Sequence, residues 1–130
     1  MAKMPPMVRY WLRSAREDLR AGVTLFQGGH YRWTVFSCHL AIEKALKAIL
    51  QHQHGVLPPR VHDLRVLLTR TGLKPPARLE RFIRQLGGLS VPTRYPGPLS
   101  TGPLGLRKRW VEHALRQTEK VLEWSRQNCP

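Results

Sequence analysis

Cysteine is scarce in this chain, which has only two cysteines among 130 residues. The two cysteines lack the density and the spacing of a disulfide framework or of a zinc site, so the sequence argues against both classes. Cys38 lies within an apolar helical stretch, and Cys129 stands beside the C-terminus. We expect a buried thiol at the first position and a thiol on a frayed chain end at the second.

Long apolar runs are absent as well. No stretch reaches the roughly 20 consecutive apolar residues that span a bilayer, and the first residues lack the apolar core of a secretory signal. A hydrophobic content of 42% with four tryptophans nevertheless predicts a packed core. The sequence therefore predicts a soluble, cytoplasmic protein without membrane contact.

Motifs for a cofactor or a metal are also missing. The run Gly97-Pro-Leu-Ser-Thr-Gly102 has the glycine spacing of a phosphate-binding loop, but Pro and Leu follow where that loop needs Lys and Ser or Thr. His52 and His54 end a helical segment without a nearby Cys or acidic ligand. We therefore expect no cofactor and no metal.

Acidic residues are few, and this is the most unusual feature of the composition. Eight Asp and Glu stand against 22 Lys and Arg, which gives a formal net charge of +14. Such a charge repels itself in a compact chain, so a polyanionic partner such as a nucleotide or RNA is the natural inference. An Arg-rich genomic composition and an acidic protein partner remain the alternatives.

The apolar spacing predicts an all-α fold: one domain over residues 1–130, built as an antiparallel bundle of four to five helices. Residues three and four apart repeat in five segments, at about 7–27, 30–54, 62–71, 76–86 and 105–126. Glycine and proline separate these segments, and the pair Gly87-Gly88 is interpreted as the end of the fourth helix. The proline-rich run from Gly88 to Gly105 is interpreted as a long loop.

The second helix carries a row of polar residues within its broad apolar surface. His39, Glu43 and Lys47 follow one another at intervals of four and therefore share one helix face. The row fits an acid–base pair. It fits equally well a helix-stabilising Glu43–Lys47 pair beside a core histidine.

The candidates for phosphate binding include one member of this row, Lys47, and several residues outside it. Lys44 and Lys47 offer ammonium groups, and His62 offers an imidazolium, while Asp63 either orients His62 or caps the third helix. A second set lies in the proline-rich run. The Arg94 guanidinium can form hydrogen bonds to a phosphate, and the Tyr95 ring can stack on a base. Tyr95-Pro96 also fits a simple loop anchor.

Four short motifs occur along the chain in a fixed order. They are the segment from Trp11 to Leu19, the run from His39 to Ala48, the triplet His62-Asp63-Leu64 and the triplet Arg94-Tyr95-Pro96. In these motifs the sequence resembles the HEPN family, over roughly residues 8 to 125. The resemblance implies a bundle of four or five helices that commonly forms a homodimer. It also implies a minimal nucleotidyltransferase as partner, in a module of the toxin–antitoxin kind.

Other members of that superfamily are metal-independent ribonucleases, which use an Arg followed four to six residues later by a His. Arg94 stands about where that Arg is expected, but no His follows it at this spacing. The catalytic candidates are therefore Arg94, His39 and His62, with a ribonuclease toxin as the alternative to a binding protein. A protein-interaction module that docks on an acidic partner is the third interpretation.

The apolar surface of the second helix also predicts a dimer, because so small a bundle is not expected to cover every apolar stripe by itself.

Overall fold

The computed structural model describes residues 4–94 and 106–130, with the backbone alone for residues 90–94. Within these residues every regular element is a helix. The five helices are α1 (Pro6–Gln27), α2 (Tyr31–His54), α3 (Leu64–Thr71), α4 (Ala77–Arg94) and α5 (Lys108–Gln127). The predicted all-α bundle is confirmed.

The second helix is the central element, as its apolar surface predicts. It contacts each of the other four helices. Its buried side chains include Val35, Ile42, Leu46 and Ile49, which join one core with residues of α3, α4 and α5. Much of the apolar surface that suggested a dimer is thus covered within a single chain, whereas Trp33 near the beginning of α2 is 50% exposed. The homodimer stays a prediction.

The predicted helix ends at Gly55 and Gly72 are confirmed. Both glycines follow their helices in the left-handed conformation, with φ of 70° and 67°, which residues with a side chain rarely adopt. At the other end of α3, Asp63 accepts a hydrogen bond from the backbone N–H of Arg65 at 2.9 Å. Asp63 therefore caps the helix, which satisfies one of its free N–H groups.

The fourth helix extends beyond its predicted end at Gly87-Gly88 and continues to Arg94. Gly87 is buried inside the helix rather than placed after it. A Cβ there would lie 3.3 Å from Cγ of Arg65 and 3.5 Å from Cβ of Leu64. The glycine lets α4 approach α3 closely, and this packing role is the reason that the glycine pair does not stop the helix.

The C-terminal cysteine also differs from its prediction. Cys129 is 1% exposed and packs with the main core, so it does not lie on a frayed end. Cys38 is buried as predicted. Burial raises the pKa of each thiol to about 11, because the thiolate loses its hydration. Both thiols are therefore poor nucleophiles near neutral pH.

In the described part of the chain, no helix is long and apolar enough to cross a membrane.

Candidate functional site

The polar row of α2 lies inside the bundle. His39, Glu43 and Lys47 are all buried, with side chains 2%, 7% and 8% exposed. A carboxylate and an ammonium group in such surroundings need direct partners, because transfer of an isolated charge out of water is costly. The contacts of Glu43 therefore determine whether this row is structural or functional.

Glu43 is the centre of the cluster. Its Oε2 accepts a hydrogen bond from Nζ of Lys47 at 3.0 Å, and it lies 2.8 Å from Nδ1 of His62. Nδ1 of His39 lies 3.8 Å from the other oxygen, Oε1. The two motifs that the sequence presents separately, the row on α2 and the triplet at α3, meet at this carboxylate.

Lys47 has a second neighbour on α1. Its Nζ lies 5.7 Å from the centre of the Trp11 ring, within the range of a cation–π contact. The ammonium group is therefore held between a carboxylate and an aromatic ring inside the protein. This arrangement supports the structural interpretation of the Glu43–Lys47 pair and leaves Lys47 poorly placed to reach a ligand directly.

His62 differs from the rest of the cluster because it reaches the surface. Its side chain is 62% exposed, although its Nδ1 contacts the buried Glu43. A carboxylate partner favours the form of the ring that carries hydrogen on Nδ1, which leaves Nε2 for another molecule. His62 is thus the one candidate in the cluster that combines a fixed orientation with access to solvent.

Lys44 points to a different contact. Its Nζ lies 2.7 Å from Oγ of Ser14 and 2.8 Å from Oδ2 of Asp18, both on α1. These contacts fasten α2 to α1. Lys44 is not brought together with His62, and a phosphate at Lys44 would compete with the Asp18 carboxylate.

The third candidate region lies partly outside the described residues. Tyr95 and Pro96 fall there, whereas Arg94 is the last residue of α4. Gly87 lies about two turns earlier, on the face that meets Leu64 of α3. Residues seven apart share a helix face, so the backbone places Arg94 on that same face of α4.

The direction of the two helices adds to this placement. Glu80 and Arg84 of α4 line a small cavity with Leu68 and Gly72, near the end of α3, while Gly87 meets its beginning. The helices therefore run in opposite directions. Continuing along α4 from Gly87 leads past the beginning of α3, the end at which His62 precedes the helix.

No group of three or more His, Cys, Asp or Glu side chains in the described residues is arranged to hold a metal ion.

The profile of the HEPN domain family matches residues 8–128, which is nearly the whole chain. The chain belongs to the HEPN domain family. This family is related to nucleotides and RNA, and the match confirms the resemblance seen in the four motifs.

Two solved structures are similar to this HEPN chain. The archaeal HEPN homologue ST0689 has 26% identity and a TM-score of 0.77, over 95% of this chain and 98% of its own. TT1696 from Thermus thermophilus has 28% identity and a TM-score of 0.78, over 93% of this chain and 97% of its own. No curated protein matches the sequence.

The sequence pattern indicates the members of the Glu43 cluster but not the contact between them. Glu43 and His62 are 19 positions apart, and no periodic pattern links a helix to the residue before the next helix. One chemical property of Glu43 could have indicated this contact. A buried carboxylate beside a single lysine still has a free acceptor position, which an imidazole can fill.

Proposed function

We propose that this HEPN protein binds the phosphate groups of a nucleotide or of RNA at the surface that carries His62. The observation that supports this best is the contact between Nδ1 of exposed His62 and the buried Glu43 carboxylate. The carboxylate holds the ring in one orientation, and in the imidazolium form of that ring Nε2–H donates a hydrogen bond to a phosphate oxygen.

The charge balance around Glu43 favours an anionic ligand. Glu43 and Lys47 form a buried ion pair whose charges offset each other. Protonation of His62 would add a positive charge at the surface, in a segment that also carries the exposed Arg60 and Arg65, with Arg65 3.5 Å from the Asp63 carboxylate. The net charge of +14 adds a long-range attraction for polyanions.

Arg94 and Tyr95 complete the proposed site. This part of the proposal is supported by helical register, since Arg94 follows Gly87 by seven positions and Gly87 meets Leu64 and Arg65 of α3. The Arg94 guanidinium would form two parallel hydrogen bonds to a phosphate, and the ring of Tyr95, the next residue, would stack on a base. In this arrangement His62 takes the place of the histidine that is missing after Arg94.

Family membership supports a further proposal about partners. We propose that the chain works with a minimal nucleotidyltransferase, in a module of the toxin–antitoxin kind, and that it forms a homodimer there. The bound nucleotide or RNA would then lie where the two proteins meet.

Ribonuclease activity is the second candidate function, and the Glu43–His62 contact is the observation that favours it. An imidazole oriented by a carboxylate is a common general base. In such a reaction Nε2 of His62 takes the proton of a ribose 2′-hydroxyl. The 2′-oxygen attacks the neighbouring phosphorus, and the 5′-oxygen leaves and takes up a proton.

A binding titration tests the proposal, with ADP and a fluorescein-labelled single-stranded RNA as probes. His62→Ala is expected to weaken binding of both probes about tenfold or more, since a charge-assisted hydrogen bond contributes about 1.5–3 kcal/mol. His54→Ala is the matched control, because His54 is exposed at the end of α2, and it is expected to leave affinity within about twofold. RNA affinity is also expected to fall steeply as salt rises.

Equal effects of the two histidine variants would contradict the proposed site, and so would RNA binding that does not respond to salt. Cleavage of the RNA by the unaltered protein, lost in His62→Ala, would establish the ribonuclease interpretation instead.

A further inference from the structure

A groove separates α1 from α5 on the surface of the bundle. Its volume is about 550 Å³, and it is lined by Arg16, Arg20 and Val23 of α1 and by Leu115, Arg116 and Glu119 of α5. Val23 is 39% exposed and so presents an apolar side chain to solvent in the groove. The proposed phosphate site uses none of these residues.

The two walls of the groove are antiparallel helices in close contact. Arg16 forms an ion pair with Glu119, and Gly22 of α1 faces Leu115 of α5, so the residue numbers rise along one helix and fall along the other. A third helix packs naturally into the depression between two such neighbours, where side-chain ridges fit into grooves. The groove therefore has the shape of a helix-binding site with an apolar floor.

The rim of the groove is positively charged. Arg16 is engaged by Glu119, and Arg116 lies 3.9 Å from Glu112. Arg20 has no ion pair among the described residues. Arg9 and Arg13 are exposed and extend the same face of α1 at intervals of three and four. Arg20 on the α1 side, and Arg116 on the α5 side with its long 3.9 Å contact to Glu112, are complemented by carboxylates at the edges of an apolar face.

A second copy of this chain does not meet that requirement. In the described residues, seven acidic side chains already have a basic partner within the chain: Asp18, Glu43, Asp63, Glu80, Glu112, Glu119 and Glu123. Glu17 remains, and one carboxylate does not offset a net charge of +14 on each copy. The complementary acidic face must come from another protein.

We propose that this groove binds an acidic amphipathic helix of a partner protein. The apolar face of that helix, with residues at i, i+4 and i+7, packs on Val23 and Leu115. Glutamates or aspartates along its two edges pair with Arg20 and Arg116. Recognition of an amphipathic helix in a groove commonly uses such an arrangement of apolar anchors.

The experiment uses a fluorescein-labelled peptide of about 18 residues, or five helical turns, with leucines on one face and glutamates on its edges. A peptide of the same composition, shuffled to have no apolar face, is the control ligand. We expect the amphipathic peptide to bind the full chain and the shuffled peptide to bind at least about tenfold more weakly, because only the former covers the groove floor.

Two pairs of protein variants locate the binding. Val23→Glu places a carboxylate on the groove floor and is expected to weaken peptide binding about tenfold or more. Val66→Glu is the matched control, since Val66 is also a helical valine with 39% exposure, and its affinity should remain within about twofold. Arg20→Glu should likewise weaken binding more than Arg70→Glu, which changes the net charge equally.

Other outcomes overturn the proposal. Equal binding of the two peptides, or equal effects of Val23→Glu and Val66→Glu, would show attraction by net charge alone. A change of sedimentation coefficient in Val23→Glu alone would identify a contact between copies of the chain. RNA affinity lowered by Arg20→Glu but not by Val23→Glu, without an effect on the peptide, would identify a nucleic-acid surface. Loss of RNA binding in His62→Ala is measured separately, so either proposal can fail alone.

Discussion

Replacement of Glu43 by methionine is expected to lower the free energy of unfolding by about 3–4 kcal/mol, because the change leaves Lys47 buried without its carboxylate. Among the described residues, the ammonium group then keeps the Trp11 ring, whose centre is 5.7 Å away, as its one favourable neighbour. His62 loses the contact that orients it at the same time. Urea unfolding monitored by circular dichroism measures the change.

Two further variants separate the effect of the unpaired charge from other causes. Glu17→Met removes an exposed carboxylate from α1 and should change stability by less than about 0.5 kcal/mol. The double variant Glu43→Met, Lys47→Met removes both buried charges and should recover most of the lost stability. A single Glu43→Met variant as stable as the unaltered protein would show that the pair is not buried in solution.

Opposite effects on stability are expected at the neighbouring glycines of α4. Gly87→Leu should lower the free energy of unfolding by about 1–3 kcal/mol, because the new side chain must fit where Cβ alone would lie 3.3 Å from Cγ of Arg65. Gly88→Ala should raise it by about 0.5–1 kcal/mol, since a Cβ there meets no atom within 4 Å and alanine favours a helix. Thermal unfolding of the two variants provides the comparison.

The same pair tests whether α4 continues beyond Gly88. If the helix ended at this position, as the sequence pattern suggested, alanine would not stabilise it. A loss of stability in Gly88→Ala would therefore contradict the extended helix, and tolerance of leucine at position 87 would contradict the close approach of α3.

The helices and most of their ends follow from local properties of the sequence. Apolar spacing gives the face of each helix, and the left-handed glycines Gly55 and Gly72 mark two of the ends. The end of α4 could not be predicted in this way. A glycine that permits close packing between helices looks the same in sequence as one that stops a helix, and only the position of Leu64 and Arg65 distinguishes them.

The candidate site likewise has one part that the sequence predicts and one part that it does not predict. The spacing of His39, Glu43 and Lys47 was enough to place them on one face, because neighbours on a helix are fixed by its geometry. The contact of Glu43 with His62 depends on how the segment between α2 and α3 folds back, which no periodicity describes. Lys44 is a further residue whose role the sequence could not predict. Its ammonium group contacts Asp18 of α1, and the spacing along α2 does not reveal this contact.

The groove between α1 and α5 was not visible in the sequence for a related reason. The arginines of α1 appear there as an ordinary basic outer face. Their proximity to Leu115 and Arg116 arises only when α5 packs beside α1. The net charge left an acidic protein partner as an alternative to a nucleotide or RNA, and the groove is a surface to which we propose that such a partner binds.

The most direct test of the proposed phosphate site is nuclear magnetic resonance of the histidine ring nitrogens during titration with ADP. We expect Nδ1 of His62 to carry hydrogen in the free protein and the Nε2 signal of this ring to shift and saturate as ADP binds. The shift should be lost in Glu43→Gln. Ring signals of His62 that stay unchanged while ADP or RNA binds elsewhere on the chain would contradict the proposed phosphate site.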